Sequence, residues 1–277
     1  MLSYRSQKLE VRGRRLKVCF LSFLFCLLFF SNTLANDSEI LIAAASDMQF
    51  VMEDLIKAFE SKYPEFKVKV SYGSSGNFFS QIKNGAPFHI FFSADMKYPE
   101  KLTSEGFAEG AKPVIYGVGR IVIWVSDNSS IDVKKMKFDS LLHPSIRKIA
   151  IANPEHAPYG TAAKESLLKA GIFEKVKDKL VFGENISQTA QFVQSSAADI
   201  GIIALSLAAS DEMKGKGKYW IIPKKYHNPI IQGFVLLKRP EIASVSSRTD
   251  KTAKLFEDFV KGKEGISILK RYGFSVP

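Results

Sequence analysis

From Ile40 onward the chain alternates short apolar runs with longer amphipathic stretches, which restricts it to a succession of strand and helix units. Residues 40–45 read as a strand. Val51, Leu55 and Phe59 then recur at helical spacing up to Pro64, so 47–63 reads as a helix with one buried stripe. Residues 67–72 alternate Val68 and Val70 with polar neighbours as a strand does, and 77–83 offers a short helix closed by Asn84-Gly85. The same alternation predicts strands at 90–92, 120–125, 149–152, 200–203 and 233–237. Helices are expected at 96–105, 161–170, from Ser206, at 249–260 and at 265–272. The fold class is α/β throughout.

The first 35 residues follow a different rule. Arg5, Lys8, Arg12, Arg14, Arg15 and Lys17 make a basic start, Val18 to Phe30 is apolar, and Thr33-Leu34-Ala35 ends in small residues. That is the build of a secretory signal peptide, with cleavage expected after Ala35. The apolar run is short for the roughly 20 residues of a spanning helix. Both cysteines, Cys19 and Cys26, fall inside the leader, so the mature chain is expected to carry neither a disulfide nor a thiol site. Phe23-Leu24-Phe25 lacks the small residues a lipoprotein acceptor at Cys26 would require, and the strong apolar run after Arg14-Arg15 favours general over twin-arginine export.

Removing the leader takes away nearly half of the formal net charge of +11. The lysines left in Lys134-Lys135-Met136-Lys137 and Lys214-Gly215-Lys216-Gly217-Lys218 read as solvated surface and a loop, with no interleaved aromatic motif for nucleic acid. Residues 36–277 suffice for two modest lobes, yet no Pro/Ser-rich linker, internal repeat or heptad run divides them. Two crossings between lobes would remove the need for a linker. Gly117-Val118-Gly119 and Asn228-Pro229 are candidates; two ordinary surface turns are the alternative.

Four strand-to-helix turns share one chemistry. They are Ser46, Gly73-Ser74-Ser75-Gly76, Pro158-Tyr159-Gly160, and Glu184-Asn185-Ile186-Ser187. Each presents hydroxyls or first-turn amides, which helix N-termini direct at anions with a favourable dipole. None contains Lys or Arg, so together they would form a cage of neutral donors suited to a fully ionised tetrahedral anion. That reading requires Asp47 and Glu184 to face away, since either turned inward opposes a dianion. Taken singly, a serine before a helix is most often only a cap.

The ordered pieces Ala43-Ala44-Ala45-Ser46, Ser74-Ser75, Gly85-Ala86-Pro87 with Ser93-Ala94-Asp95, Asn153-Pro154-Glu155-His156-Ala157-Pro158-Tyr159-Gly160 and Lys270-Arg271-Tyr272-Gly273-Phe274 resemble the periplasmic molybdate-binding proteins of ABC importers. The resemblance implies a two-lobed type II periplasmic-binding-protein fold with a central cleft, and lobes at 36–117 plus 229–277 and at 118–228. It implies molybdate or tungstate as ligand. Ser46 and Ser75 would bind the oxyanion through hydroxyl and backbone N–H, and the amides of Tyr159 and Ile186 through the second lobe. Molybdenum would be held only as that oxyanion, and no cofactor is implied. The implied partners are a membrane permease and its ATPase, the location is the periplasm, and a monomer is expected.

Two positions depart from the family. Some members carry a tyrosine donor after the strand at which this chain has Gly201-Ile202-Ile203-Ala204, so the Tyr159 hydroxyl replaces it or the cage has fewer donors. His89 stands where Asp is frequent and is expected to be structural. The same fold with sulfate, phosphate or another small anion is the first alternative. A serine hydrolase is the second: Ser75 sits at a strand-helix turn, but the spacing misses Gly-x-Ser-x-Gly, and His143, His156 and His227 lie in no partner motif.

Overall fold

A computed structural model describes residues 39–238 and 246–277. The expected leader, with its expected cleavage after Ala35, lies outside these residues.

Two five-stranded mixed sheets carry the fold. The first has the order β2-β1-β3-β10-β4, built from β1 (Glu39–Ala45), β2 (Lys67–Gly73), β3 (Ile90–Ser93), β4 (Val114–Gly119) and β10 (Ile230–Leu236). β1 is parallel to β2 and β3, and β10 runs antiparallel to β3 and β4. The second has the order β7-β6-β8-β5-β9, from β5 (Ile121–Ser126), β6 (Ile149–Ala152), β7 (Leu180–Gly183), β8 (Ile200–Ala204) and β9 (Gly217–Ile221). Here β6 is parallel to β7 and β8, and β5 runs antiparallel to β8 and β9. Both sheets thus set three parallel strands beside an antiparallel pair, although the sequence shows no repeat. The expected α/β type II architecture is the observed one.

The longer described helices are α1 (Gln49–Lys62), α2 (Ser75–Lys83), α3 (Lys97–Ser104), α4 (Pro158–Lys169), α5 (Ile186–Gln194), α6 (Ser246–Lys261) and α7 (Lys263–Arg271). The α1 stripe predicted from periodicity is buried at Val51, Leu55 and Phe59. Phe59 packs edge-on against Phe256 and Phe259 of α6, so α6 covers one face of the first sheet. The second sheet has its own core around Trp124, Ile151 and Ile202, all almost fully buried. Strands buried on both faces read as continuous apolar runs, which is why β5, β6 and β8 were legible.

The chain leaves the first sheet at Gly119 and enters the second at Ile121; it returns between Ile221 and Ile230. Gly117-Val118-Gly119 is therefore neither a surface turn nor itself a connection, but the end of β4, paired with β10. Gly217 and Lys218, expected in a loop, open β9, an edge strand whose lysine-rich start limits further pairing.

Candidate functional site

In both sheets the parallel strands deliver their carboxyl ends to one place, where ligands of open α/β sheets bind. β1 ends at Ala45 and is followed by the short 3-10 helix Ser46–Met48; β2 ends at Gly73 before Ser74 and α2. From the second sheet, β6 leads through residues 153–157 into α4, and β7 leads into α5. Ser46, Ser75, Tyr159 and Ile186 all line one small cavity of about 10 Å³, with Asp47, Gly73, Ser74, Ala94, Ala157 and Pro158 among the other walls. A larger cleft of about 230 Å³ adjoins it and shares Ala94, Ala157 and Pro158.

The two sides are in hydrogen-bonding contact. The Ser46 hydroxyl donates to Asn185 Oδ1 at 3.0 Å and accepts from the Ser187 amide at 3.2 Å. Ser187 Oγ donates to Gln49 Oε1 at 2.5 Å, and the Gly76 amide donates to the His156 carbonyl at 3.0 Å. Asn77 Nδ2 reaches Glu184 Oε1 at 2.5 Å. Ser75 Oγ accepts from the Ala94 amide at 2.9 Å and keeps its own proton for donation.

Three sequence expectations need correction. Tyr159 and Ile186 do not sit in turns before helices; they lie in the first turns of α4 and α5, because Pro158 is itself a helical first residue and Asn185 is the cap, accepting from Gln188 N at 3.0 Å. Their amides consequently belong to the set without intrahelical acceptors. Likewise α2 begins at Ser75, two residues before the expected start.

Asp47, which the dianion reading required to face away, is completely buried. Its Oδ2 accepts from the Tyr159 hydroxyl at 2.9 Å and from Gln232 Nε2 at 2.9 Å, while Oδ1 has no partner. Burial pushes its carboxyl up to about 7, against the pull of the Gln232 and Tyr159 bonds. Glu184, by contrast, is exposed and bridges Asn77 and His156 at the rim.

The Tyr159 hydroxyl is engaged twice, donating to Asp47 and accepting from Gln232 at 2.7 Å. It faces Gly119, at the passage between the sheets, and its proton is committed to Asp47. Ala204 is buried at the end of β8, outside the cavity wall.

Tyr116, Gln232 and Ser206 were missed. Gln232 accepts from the Tyr116 hydroxyl, and Ser206 Oγ donates to the Asp47 carbonyl at 2.7 Å. A lone glutamine in the apolar run Ile230–Leu236 was the available signal for Gln232; Tyr116 offered none. His89 is buried, with Nδ1 accepting from the Leu41 amide at 2.9 Å, a structural role. Among the described residues, no group of His, Cys, Asp and Glu is placed to hold a metal ion.

Residues 40–275 match the family model described as bacterial extracellular solute-binding protein. The molybdate-binding protein ModA of Azotobacter vinelandii is 35% identical over 247 residues, covering 87% of this chain and 92% of the relative. ModA of Rhodobacter capsulatus is 34% identical over 240 residues, covering 87% and 89%. The solved structure of the A. vinelandii periplasmic molybdate-binding protein superposes with a TM-score of 0.77 at 32% identity, covering 86% of this chain and 99% of that one. The sulfate-binding protein SubI of Mycobacterium tuberculosis shares the fold, with a TM-score of 0.63 at 16% identity. A family match that spans both sheets and the cavity between their strand ends makes this chain a non-catalytic bacterial extracellular solute-binding protein of the ModA-like periplasmic group.

Proposed function

We propose that this protein captures molybdate, and also tungstate, in the periplasm and delivers it to the permease and ATPase of an ABC importer. The observation that carries this reading is the convergence of Ser46, Ser75 and the first turns at Tyr159 and Ile186 on one cavity without a lysine or arginine in its wall. Hydroxyl and amide donors compensate a dianion's charge through fixed dipoles and place no counter-charge in the site. Ser75 contributes its uncommitted proton; Ser46 gives up its bond to Asn185 or contributes its amide. In this reading residues 36–117 plus 229–277 form one lobe and 118–228 the other, the leader 1–35 is removed after Ala35, and the protein works as a monomer.

Calorimetric titration of the purified protein with molybdate, tungstate, sulfate and phosphate tests the assignment. Molybdate and tungstate are expected to bind at least 100-fold more tightly than the other two, about 2.7 kcal/mol of discrimination. One observation favours a second reading with the same fold. The unpartnered Asp47 Oδ1 is an acceptor that a protonated anion such as hydrogenphosphate would satisfy. Tighter binding of phosphate than of molybdate in that titration establishes the second reading and removes the first.

A further inference from the structure

Ser74 has the residue type and the extended backbone of a helix cap, φ −82° and ψ 146°, yet its side chain makes no capping bond to α2. The reason lies across the cleft. The second amide of α2, that of Gly76, is taken by the His156 carbonyl at 3.0 Å. A Cβ at Gly76 would come within 2.8 Å of His156 Cβ and 2.9 Å of its carbonyl oxygen, so glycine is what permits this approach. With the other side of the cleft supplying the cap, the Ser74 hydroxyl is released from that duty.

The released hydroxyl goes nowhere else within the protein. Ser74 is 4% exposed, and its Oγ is buried without a hydrogen-bond partner. It stands on the same cavity wall as Ser46 and Ser75. Those two serines are already engaged, Ser46 with Asn185 and Ser187, and Ser75 with the Ala94 amide. Of the three wall serines, Ser74 alone has both its donor and its acceptor capacity unused. Buried polar groups in native proteins are satisfied almost without exception, and an orphan on a cavity wall calls for a partner that enters the cavity. An anion oxygen is the partner a hydroxyl proton suits best.

We propose that Ser74 is a direct hydrogen-bond donor to the bound oxyanion, a contact beyond Ser46, Ser75 and the amides of Tyr159 and Ile186. It supplies from the first sheet's side a hydroxyl that Ala204 does not supply from the second. The inference rests on the oxyanion reading above, and the experiment separates the two.

Molybdate is titrated calorimetrically into the purified wild-type protein and into Ser74→Ala, with the melting temperature of each measured free of ligand. Because Ser74 makes no capping bond, the ligand-free melting temperature of the variant is expected to stay the same or rise. Its Kd for molybdate is expected to increase roughly 10-fold to 100-fold, the range for loss of a neutral donor to a charged acceptor. Ser74→Thr, which keeps the hydroxyl, should recover part of that loss. Kd values for Ser74→Ala within twofold of wild type overturn the proposal, since the hydroxyl is then an unsatisfied group without a ligand. Should Ser74→Ala misfold, Ser74→Gly gives the same comparison, glycine being well tolerated at a cap. A wild-type protein that binds no oxyanion instead removes the reading on which the proposal stands.

Discussion

At the scale of single residues, Asp47 sets a pH dependence whose sign follows from its surroundings. Tyr159 and Gln232 bond to it from two other elements, Tyr116 holds Gln232 from a third, and none of the groups acting on it carries a positive charge. Burial therefore prevails and lifts the carboxyl from 3.8 to about 7. A raised folded value means that the native state binds the proton more tightly than the unfolded chain does. The contribution of Asp47 is thus fully present below pH 3.8 and is lost as pH rises through about 7. The upper limit of that loss is about 4 kcal/mol, and water penetration lowers it. In urea denaturation of the ligand-free protein, Asp47→Asn is expected to be more stable than wild type at pH 8 and to show a flatter slope between pH 5 and 8. Identical slopes for the two proteins would show that Asp47 stays ionised in the native state. Neither its burial nor its raised carboxyl was legible beforehand, because an Asp after a Ser at a helix start usually faces solvent as a first-turn acid.

At the scale of elements, the approach of β4 to α4 is what aligns the Asp47 network. Gly119 ends β4, opposite Ile230 of β10. A Cβ there would lie 2.2 Å from the Tyr159 hydroxyl oxygen and 2.6 Å from Gln232 Nε2. These are not free side-chain ends that can swing aside, since both atoms hold Asp47. Gly119→Ala is expected to cost about 1–3 kcal/mol through overpacking, read as a lower urea midpoint, with weaker molybdate binding by the same protein. An unchanged midpoint would mean that the passage between the sheets relaxes without strain. The elements themselves were largely readable, because buried strands give apolar runs and α1 gives a clean stripe. Helix starts were read two to three residues late, at Asn77 for Ser75 and at Thr161 for Pro158, because glycines and prolines there look like turn residues when they belong to first turns. β4, β7 and β9 are short or edge strands with weak patterns and gave too little periodicity to be recognised.

At the scale of the whole molecule, the site is an outcome of register and topology that no local pattern encodes. Asp47 and Gln232 are 185 residues apart in sequence, and Ser46 and Asn185 are 139 apart. Each turn could be recognised as a donor; only the sheet order brings all four to one cavity. The same geometry carries a thermodynamic consequence. Ser46–Asn185, Ser187–Gln49 and Gly76–His156 are neutral hydrogen bonds across the cleft, each worth only about 0.5–1.5 kcal/mol net. A dianion that bridges donors from both sides adds charge-assisted bonds, roughly twice as strong, to that set. Binding should therefore hold the two sides together more firmly than their own contacts do. By linkage, molybdate at 100 times its Kd stabilises the protein by about 2.7 kcal/mol, which for a domain of this size corresponds to roughly 5–10 °C in Tm. The double variant Ser46→Ala, Ser75→Ala is expected to lose most of that shift in a thermal melt while retaining its fold by circular dichroism. A full shift in the double variant would place the oxyanion on the helix amides and Ser74, with the Ser46 and Ser75 hydroxyls contributing nothing to binding.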